Sequence, residues 1–348
     1  MGEALKLLVT LDNSGRTYAT FSGRTILHDG LPTPDEHIDR IGIKVSLPGG
    51  YFLEDRIIGT EFDHHLTLAH KRTPELVGAL GAEIEKLRDQ FPKATMVAIS
   101  DSAFHITKPD YAWNYGISLR DADEFDIKRF GFHGLAVAAS IHTLRAHEKL
   151  PPRVVVCCLG DRTSVTAVYH GRGFDTTTGF SSTDGLMTGS SSGSVDPEAV
   201  LILKQALGLN DKTMMEYLQT KGGLLGLSGS VDNVFGLLEH ERNGHHHASL
   251  ALQTYVYTVQ KAIGQMTAAL GGVDVLIFTG HVAETSSVIR ERILERLHHL
   301  DFLMDGHANR NCTTPTELTC ISRLAHSKPV FVIPADEDSE MIRRLNVD

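Results

Sequence analysis

The sequence predicts an α/β protein of two domains built by internal duplication. Three observations carry this reading. The chain has 348 residues, 41% hydrophobic and 22% charged, which suits two ordinary globular cores. Apolar strand-like runs alternate with helical periods along its length. The stretch LKLLVTLDNSGRTYATFSG at 5–23 is answered by RVVVCCLGDRTSVTAVYHG at 153–171. Each reads as strand, tight turn with an R-T pair, and return strand, and two hairpins of one type point to a repeat.

The remaining elements follow in order. PELVGALGAEIEKLRDQ at 74–90 has a helical period with Pro74 in its first turn. TMVAISDSAFH is a buried strand running into a polar turn at Asp101, and residues 134–149 form an Ala-rich helix stopped by Pro151-Pro152. GLMTGSSSGSVDPEAVLIL begins like a Gly/Ser linker and ends as a helix, with Asp196 as cap and Pro197 in the first turn. ERNGHHHASLALQTYVYTVQKAIGQMTAALGG is a long amphipathic helix. VDVLIFTGHVAETSSVIRERILERL reads strand, glycine turn, helix, and KPVFVIPADEDSEMIRRL reads strand, acidic turn, short helix.

Composition excludes several function classes. The formal net charge of -10 gives a nucleic-acid partner no electrostatic support. No apolar run is long enough for a membrane span, and MGEALKLLVTLDNSG has no signal-peptide pattern, so a cytoplasmic location is expected. Cys157, Cys158, Cys312 and Cys320 have neither disulfide-framework nor zinc spacing and are expected to be reduced. His245, His246 and His247 point in different directions at a helix start, and His64-His65 is read the same way. Asp126, Lys128 and Arg129 are expected to form a charged turn, and Trp113 to pack at a domain junction.

Hairpin turns can aim backbone N–H groups at an anion, and carboxylates after apolar strands, at Asp101 and at Asp336-Glu337, suit a hydrated Mg²⁺ beside a nucleotide. Together they suggest phosphoryl transfer. The chain then carries, in order, SDSAFHITKP, RFGFHGLAVAAS, CCLGDRTSVTAVYHGRGFDTTTGF, DGLMTGSSSGSVDP, GGLLGLSGSVDNV, GGVDVLIFTGHVAETSSVIRERI and VFVIPADEDSEM. Block by block it resembles the acetate kinase family of short-chain carboxylate kinases, most densely from about residue 100 onward.

The resemblance implies the duplicated ribonuclease-H-like fold of actin, hexokinase and Hsp70-type ATPases, with nucleotide and carboxylate meeting between two domains. These would be residues 1–102 and 103–337, the latter carrying the nucleotide segments, with helix 338–348 packing back on the first. It implies ATP/ADP and a small carboxylate as ligands, Mg²⁺ as cofactor, and a homodimer formed through the second domain. Asp101 matches the essential acidic residue and, with Glu337, the metal-associated carboxylates; His133 matches the histidine on the transferring phosphoryl group. Asn13, Gly15, Gly160 and Asp161 fall in the phosphate hairpins, Asp232 in the nucleotide segment, and Gly280 and Glu284 in the loop beside the nucleotide.

Several positions depart from the family pattern. Ser191 stands where G-L-x-x-G-T-R-S-G-x-x-D-P has its arginine, and Lys44 replaces a second arginine. Asp161-Arg162 replaces Asn-Gly, the G-G-x-G-E-N loop reads GHVAET, Val234 stands for an arginine, and Ser182 for a pocket proline. A lost arginine can cost 10³–10⁵ in rate, roughly 4–7 kcal/mol of barrier. Arg162, Arg72 and Arg16 sit where the family has other residues and either rebuild a phosphate clamp or pair with local carboxylates. Two functions therefore remain open: a carboxylate kinase using Asp101, His133, Lys44, Arg162 and Arg72, or a catalytically silent relative that binds a nucleotide or a protein partner.

Overall fold

In the computed structural model, residues 5–12, 15–23, 25–33, 36–71, 74–181, 183–323 and 325–346 are described. The chain divides into two compact units. Unit 1 comprises Met1–Ile106, Tyr115–Ala139 and Asp336–Asp348, and unit 2 comprises Thr107–Asn114 and Ser140–Ala335.

Unit 1 is built on six strands: β1 (Leu5–Asp12), β2 (Gly15–Ser22), β3 (Thr25–Asp29), β4 (Ile38–Val45), β5 (Arg56–Ile57) and β6 (Thr95–Ser100). Their order is β3-β2-β1-β4-β6-β5. The β1–β2–β3 meander is antiparallel, with Asp12 opposite Gly15, while β1, β4 and β6 run parallel. Unit 2 repeats this plan with β7 (Arg153–Leu159), β8 (Thr163–Tyr169), β9 (Arg172–Thr176), β10 (Val275–Thr279), β11 (Thr319–Cys320) and β12 (Val330–Val332). Their order, β11-β12-β10-β7-β8-β9, matches unit 1 strand for strand, again with a parallel centre and an antiparallel meander. The repeat read from two hairpins thus extends to both entire sheets.

Side-chain alternation explains the layers. On β1, Leu7 and Val9 join Ile41, Ile43 and Val45 of β4 against the helices Thr60–His70 and Pro74–Gln90. Leu8 faces the other way, onto Met341, Ile342 and Leu345 of the C-terminal helix Glu337–Leu345. On that face of β4, every second residue serves the helix. Arg40 donates to the Leu345 carbonyl (2.7 Å), Gly42 lies under the Leu345 side chain, and Lys44 pairs with Glu337. Four strand steps and eight helical steps both span about 12–13 Å, so the two registers coincide.

In unit 2 the helix His246–Ala269 buries Ala248, Ala251, Leu252, Tyr255, Val259, Ala262, Ile263 and Met266 at helical spacing. They pack on Val155, Cys157 and Leu159 of β7 and Leu276 and Phe278 of β10. All four cysteines are free. Among the described residues no helix is long and apolar enough to cross a membrane.

Candidate active site

In unit 1 the segment after β6 forms a platform for the GFHG segment. Ser102 Oγ donates to the Gly131 carbonyl (2.6 Å), and His105 Nε2 lies 3.0 Å from the Phe132 carbonyl. The Asp101 carboxylate accepts from the N–H groups of His133 (2.9 Å) and Leu135 (3.3 Å), and its backbone carbonyl accepts from Gly134 N–H. Asp101 thereby caps the helix Gly134–His147 from outside, where unpaired amides and the helix dipole favour an anion. His133 is held in the left-handed region (φ 63°) that a non-glycine residue seldom adopts.

The same carboxylate accepts from Ser46 Oγ (3.2 Å) at the carboxyl end of β4. Burial alone would push Asp101 upward, but the Lys44 ammonium, His133 and the two backbone N–H groups outweigh it. They hold the carboxyl well below the usual carboxylate range. Glu337 behaves oppositely: burial pushes it up, Lys44 pulls it down, and Asp101 and Asp338 add repulsion, leaving it raised.

The two carboxylates differ as Mg²⁺ ligands. Asp101 is 1% exposed and both its oxygens are turned onto the protein's own donors. The Glu337 side chain is 28% exposed, its Oε2 is on Lys44, and its Oε1 makes no hydrogen bond among the described residues. No group of three acidic, histidine or cysteine residues suited to a metal occurs among the described residues. Mg²⁺ needs only one or two carboxylates beside phosphate oxygens and water, so Glu337 fits it and Asp101 stands behind.

In unit 2 the candidate groups gather at the carboxyl ends of the parallel strands, where open α/β sheets bind ligands. Gly160, Asp161 and Arg162 connect β7 to β8, with Arg162 exposed. The loop after β10 starts at Gly280, with φ 91° and a position only 2.7 Å from the Leu159 carbonyl for any Cβ, so glycine is required there. The sequence suggested that hairpin-turn amides face an anion; of those in the β7–β8 turn, Gly160 N–H donates to the Arg162 carbonyl. Past β10, Gly280 N–H donates to Glu284 Oε1 (2.8 Å). Glu284 Oε1 also accepts from Ala335 N–H (2.8 Å), so this carboxylate fastens the ends of β10 and β12.

The Ser191 loop is a closed structure and no linker. Thr188, Gly189 and Ser190 carbonyls accept from the N–H groups of Leu224, Leu225 and Gly222, and Ser194 Oγ donates to Asp184 (2.6 Å). Ser191 is 9% exposed and its hydroxyl has no partner among the described residues. Asp232, itself exposed, brings its backbone carbonyl to 2.5 Å from where a Cβ on Gly189 would stand. Phe235, not foreseen, and His281 of the GHVAET loop extend this neighbourhood: both are exposed, with ring centroids 5.3 Å apart.

Asn13, Arg72 and Ser182 lie outside the described residues. Arg16 takes the structural alternative, pairing with buried Glu83 at 2.9 Å. Asp126 exceeds a charged turn, since it accepts from Gly50 N–H (2.9 Å). His65 stacks on Tyr51 at 3.7 Å, and Trp113 donates to the Lys108 carbonyl while Lys108 lies over its ring.

Comparison with known proteins gives the family and the fold. The acetokinase family pattern matches residues 15–344. The acetate kinase of Thermoanaerobacter pseudethanolicus is 36% identical over 316 residues, covering 89% of this chain and 77% of that protein. That of Dichelobacter nodosus is 34% identical over 349 residues, covering 97% and 88%. In fold, the chain resembles an acetate kinase from Entamoeba histolytica (TM-score 0.89, 22% identity) and a propionate kinase from Francisella tularensis (TM-score 0.88, 24% identity). Each comparison covers 98% of both chains. From the ordered motifs, the duplicated sheets and these matches it follows that the chain belongs to the acetokinase family.

Proposed function

We propose that the protein is an ATP-dependent short-chain carboxylate kinase, converting ATP and acetate or propionate to ADP and an acyl phosphate. The observation that carries this reading is the Lys44 ammonium, 18% exposed and set against Glu337 and Asp101 on the platform that presents His133. The acceptor is already an anion at neutral pH, so no base is needed. Its oxygen forms the bond to the γ-phosphorus while the bond from that phosphorus to the β,γ-bridging oxygen breaks, and ADP leaves with the electron pair. What the protein must supply is positive charge and alignment.

Lys44 supplies a fixed charge at an arginine position, without the planar fork. His133, whose backbone N–H is held by Asp101, is assigned to the transferring group by the family resemblance, and Arg162 on the β7–β8 turn is a candidate second charge. Mg²⁺, when bound through Glu337, neutralises phosphate charge. Gly160 and Gly280 permit close approach, and Asp232, Phe235 and His281 border the nucleotide. Exposed Leu201, Ile202, Leu207 and Met215 in and beside the helix Pro197–Ala206, which buries none of its side chains, support a homodimer.

Hydroxylamine trapping tests the reaction with acetate, propionate and butyrate as acceptors. Hydroxamate is expected with the two shorter acids. ATP binding without hydroxamate from any acid would return the chain to a non-catalytic binding role.

A further inference from the structure

The geometry points to Arg290 as a positioning residue for the segment Gly280–Thr285, and through it for the nucleotide. Only the placing of the nucleotide at that segment rests on the kinase reading. Arg290, in the helix Ser287–Leu294, is fully buried. Its five N–H groups meet five neutral oxygens. Nε donates to Asn309 Oδ1 (2.8 Å), Nη1 to the Ala283 (2.6 Å) and Glu284 (3.1 Å) carbonyls, and Nη2 to those of Asn309 (2.7 Å) and Cys312 (2.6 Å).

A buried cation without a carboxylate is costly, so its surroundings must compensate. Here the compensation comes from the carbonyl ends of two short helices, His281–Thr285 and Gly306–Asn311, whose last carbonyls lack intrahelical donors. A planar five-donor fork can satisfy both ends at once, whereas a lysine ammonium offers three donors from one point. Asn309, also fully buried, donates its Nδ2 to the Ser287 carbonyl and so holds the arginine's own helix.

The segment is therefore held twice, at its start by Glu284 on Gly280 N–H and at its end by Arg290 on the Ala283 and Glu284 carbonyls. Arg290 touches no candidate substrate position; it acts by fixing backbone that would otherwise move when a phosphate arrives.

The test compares wild type with Arg290→Lys by hydrogen exchange over residues 280–285 and by separate KM values for ATP and acetate. Faster exchange in that segment and a KM for ATP raised roughly tenfold or more are expected, with KM for acetate within about twofold of wild type. A folded variant with unchanged exchange at 280–285, or with both KM values raised by the same factor, would overturn the proposal. Asn309→Ala leaves the guanidinium in place and removes one of its five acceptors together with the Nδ2 bond to Ser287. It should move the same two readouts by a smaller factor, and it decides the matter if Arg290→Lys does not fold. If wild type forms no acyl phosphate, the kinase reading fails separately, and exchange together with the dissociation constant for ATP still decides the role of Arg290.

Discussion

Ser191 shows how a substitution that looks like a lost charge is also a packing feature. Its hydroxyl is buried inside a hydrogen-bonded loop, without a partner among the described residues. Removing an unpaired buried hydroxyl is neutral to stabilising, so Ser191→Ala is expected to change stability by about 0 to +1 kcal/mol. Ser191→Arg restores the family's residue into a closed loop and is expected to destabilise by roughly 1–3 kcal/mol. Thermal melts of both variants check this, and a stabilised arginine variant would contradict it. Asp101 makes a separate pH prediction. Its folded pKa is depressed, so its stabilisation is present above the ordinary aspartate value near ~3.9 and is lost as pH falls through the depressed one. Asp101→Asn should therefore be less stable than wild type at pH 7, with the gap closing steadily towards strongly acid pH. Glu337, raised by burial, acts in the opposite sense, with stability lost as pH rises through its folded value. Denaturant titrations between pH 3 and 7 measure the gap; a gap independent of pH would exclude an ionised Asp101 as its source.

At the scale of elements, the legible parts were those in which chain neighbours act together. Helix 74–90, the strand–turn at Asp101 and the helix start at Asp196-Pro197 all announce themselves through local spacing, and each occurs in the structure. What stayed hidden depends on partners far along the chain. Arg16 is 67 residues from Glu83, and the match of Arg40, Gly42 and Lys44 to the C-terminal helix spans nearly the whole sequence. Arg290 in SSVIRERIL reads as one more charge on an amphipathic helix, because charged residues are seldom fully buried. Glu284 was identified from its place in a loop motif, yet its chemistry, two backbone amides on one oxygen, appears only when β10 and β12 lie side by side. Sequence spacing locates such a residue without revealing what its atoms are spent on.

At the scale of the molecule, two copies of one sheet plan carry different chemistry on strands that are not counterparts, since β6 corresponds to β12 and β7 and β10 to β1 and β4. The end of β6 bears Asp101 and its platform, while the ends of β7 and β10 bear the glycine turns. The exposed helix Pro197–Ala206 gives a prediction for the assembly: Leu201→Glu should convert a dimer to a monomer in sedimentation velocity, whereas a wild-type monomer would refute the homodimer. The central claim is that this protein, with Lys44 and Ser191 at two arginine positions of the family, transfers a phosphoryl group to a carboxylate. Phosphorus NMR of the wild-type protein with MgATP and acetate follows all phosphorus species in one sample. The expected result is an acyl phosphate resonance growing in step with ADP, one for one, and absent without acetate. ATP that stays intact, or that yields ADP and inorganic phosphate with no acyl phosphate, would contradict the claim.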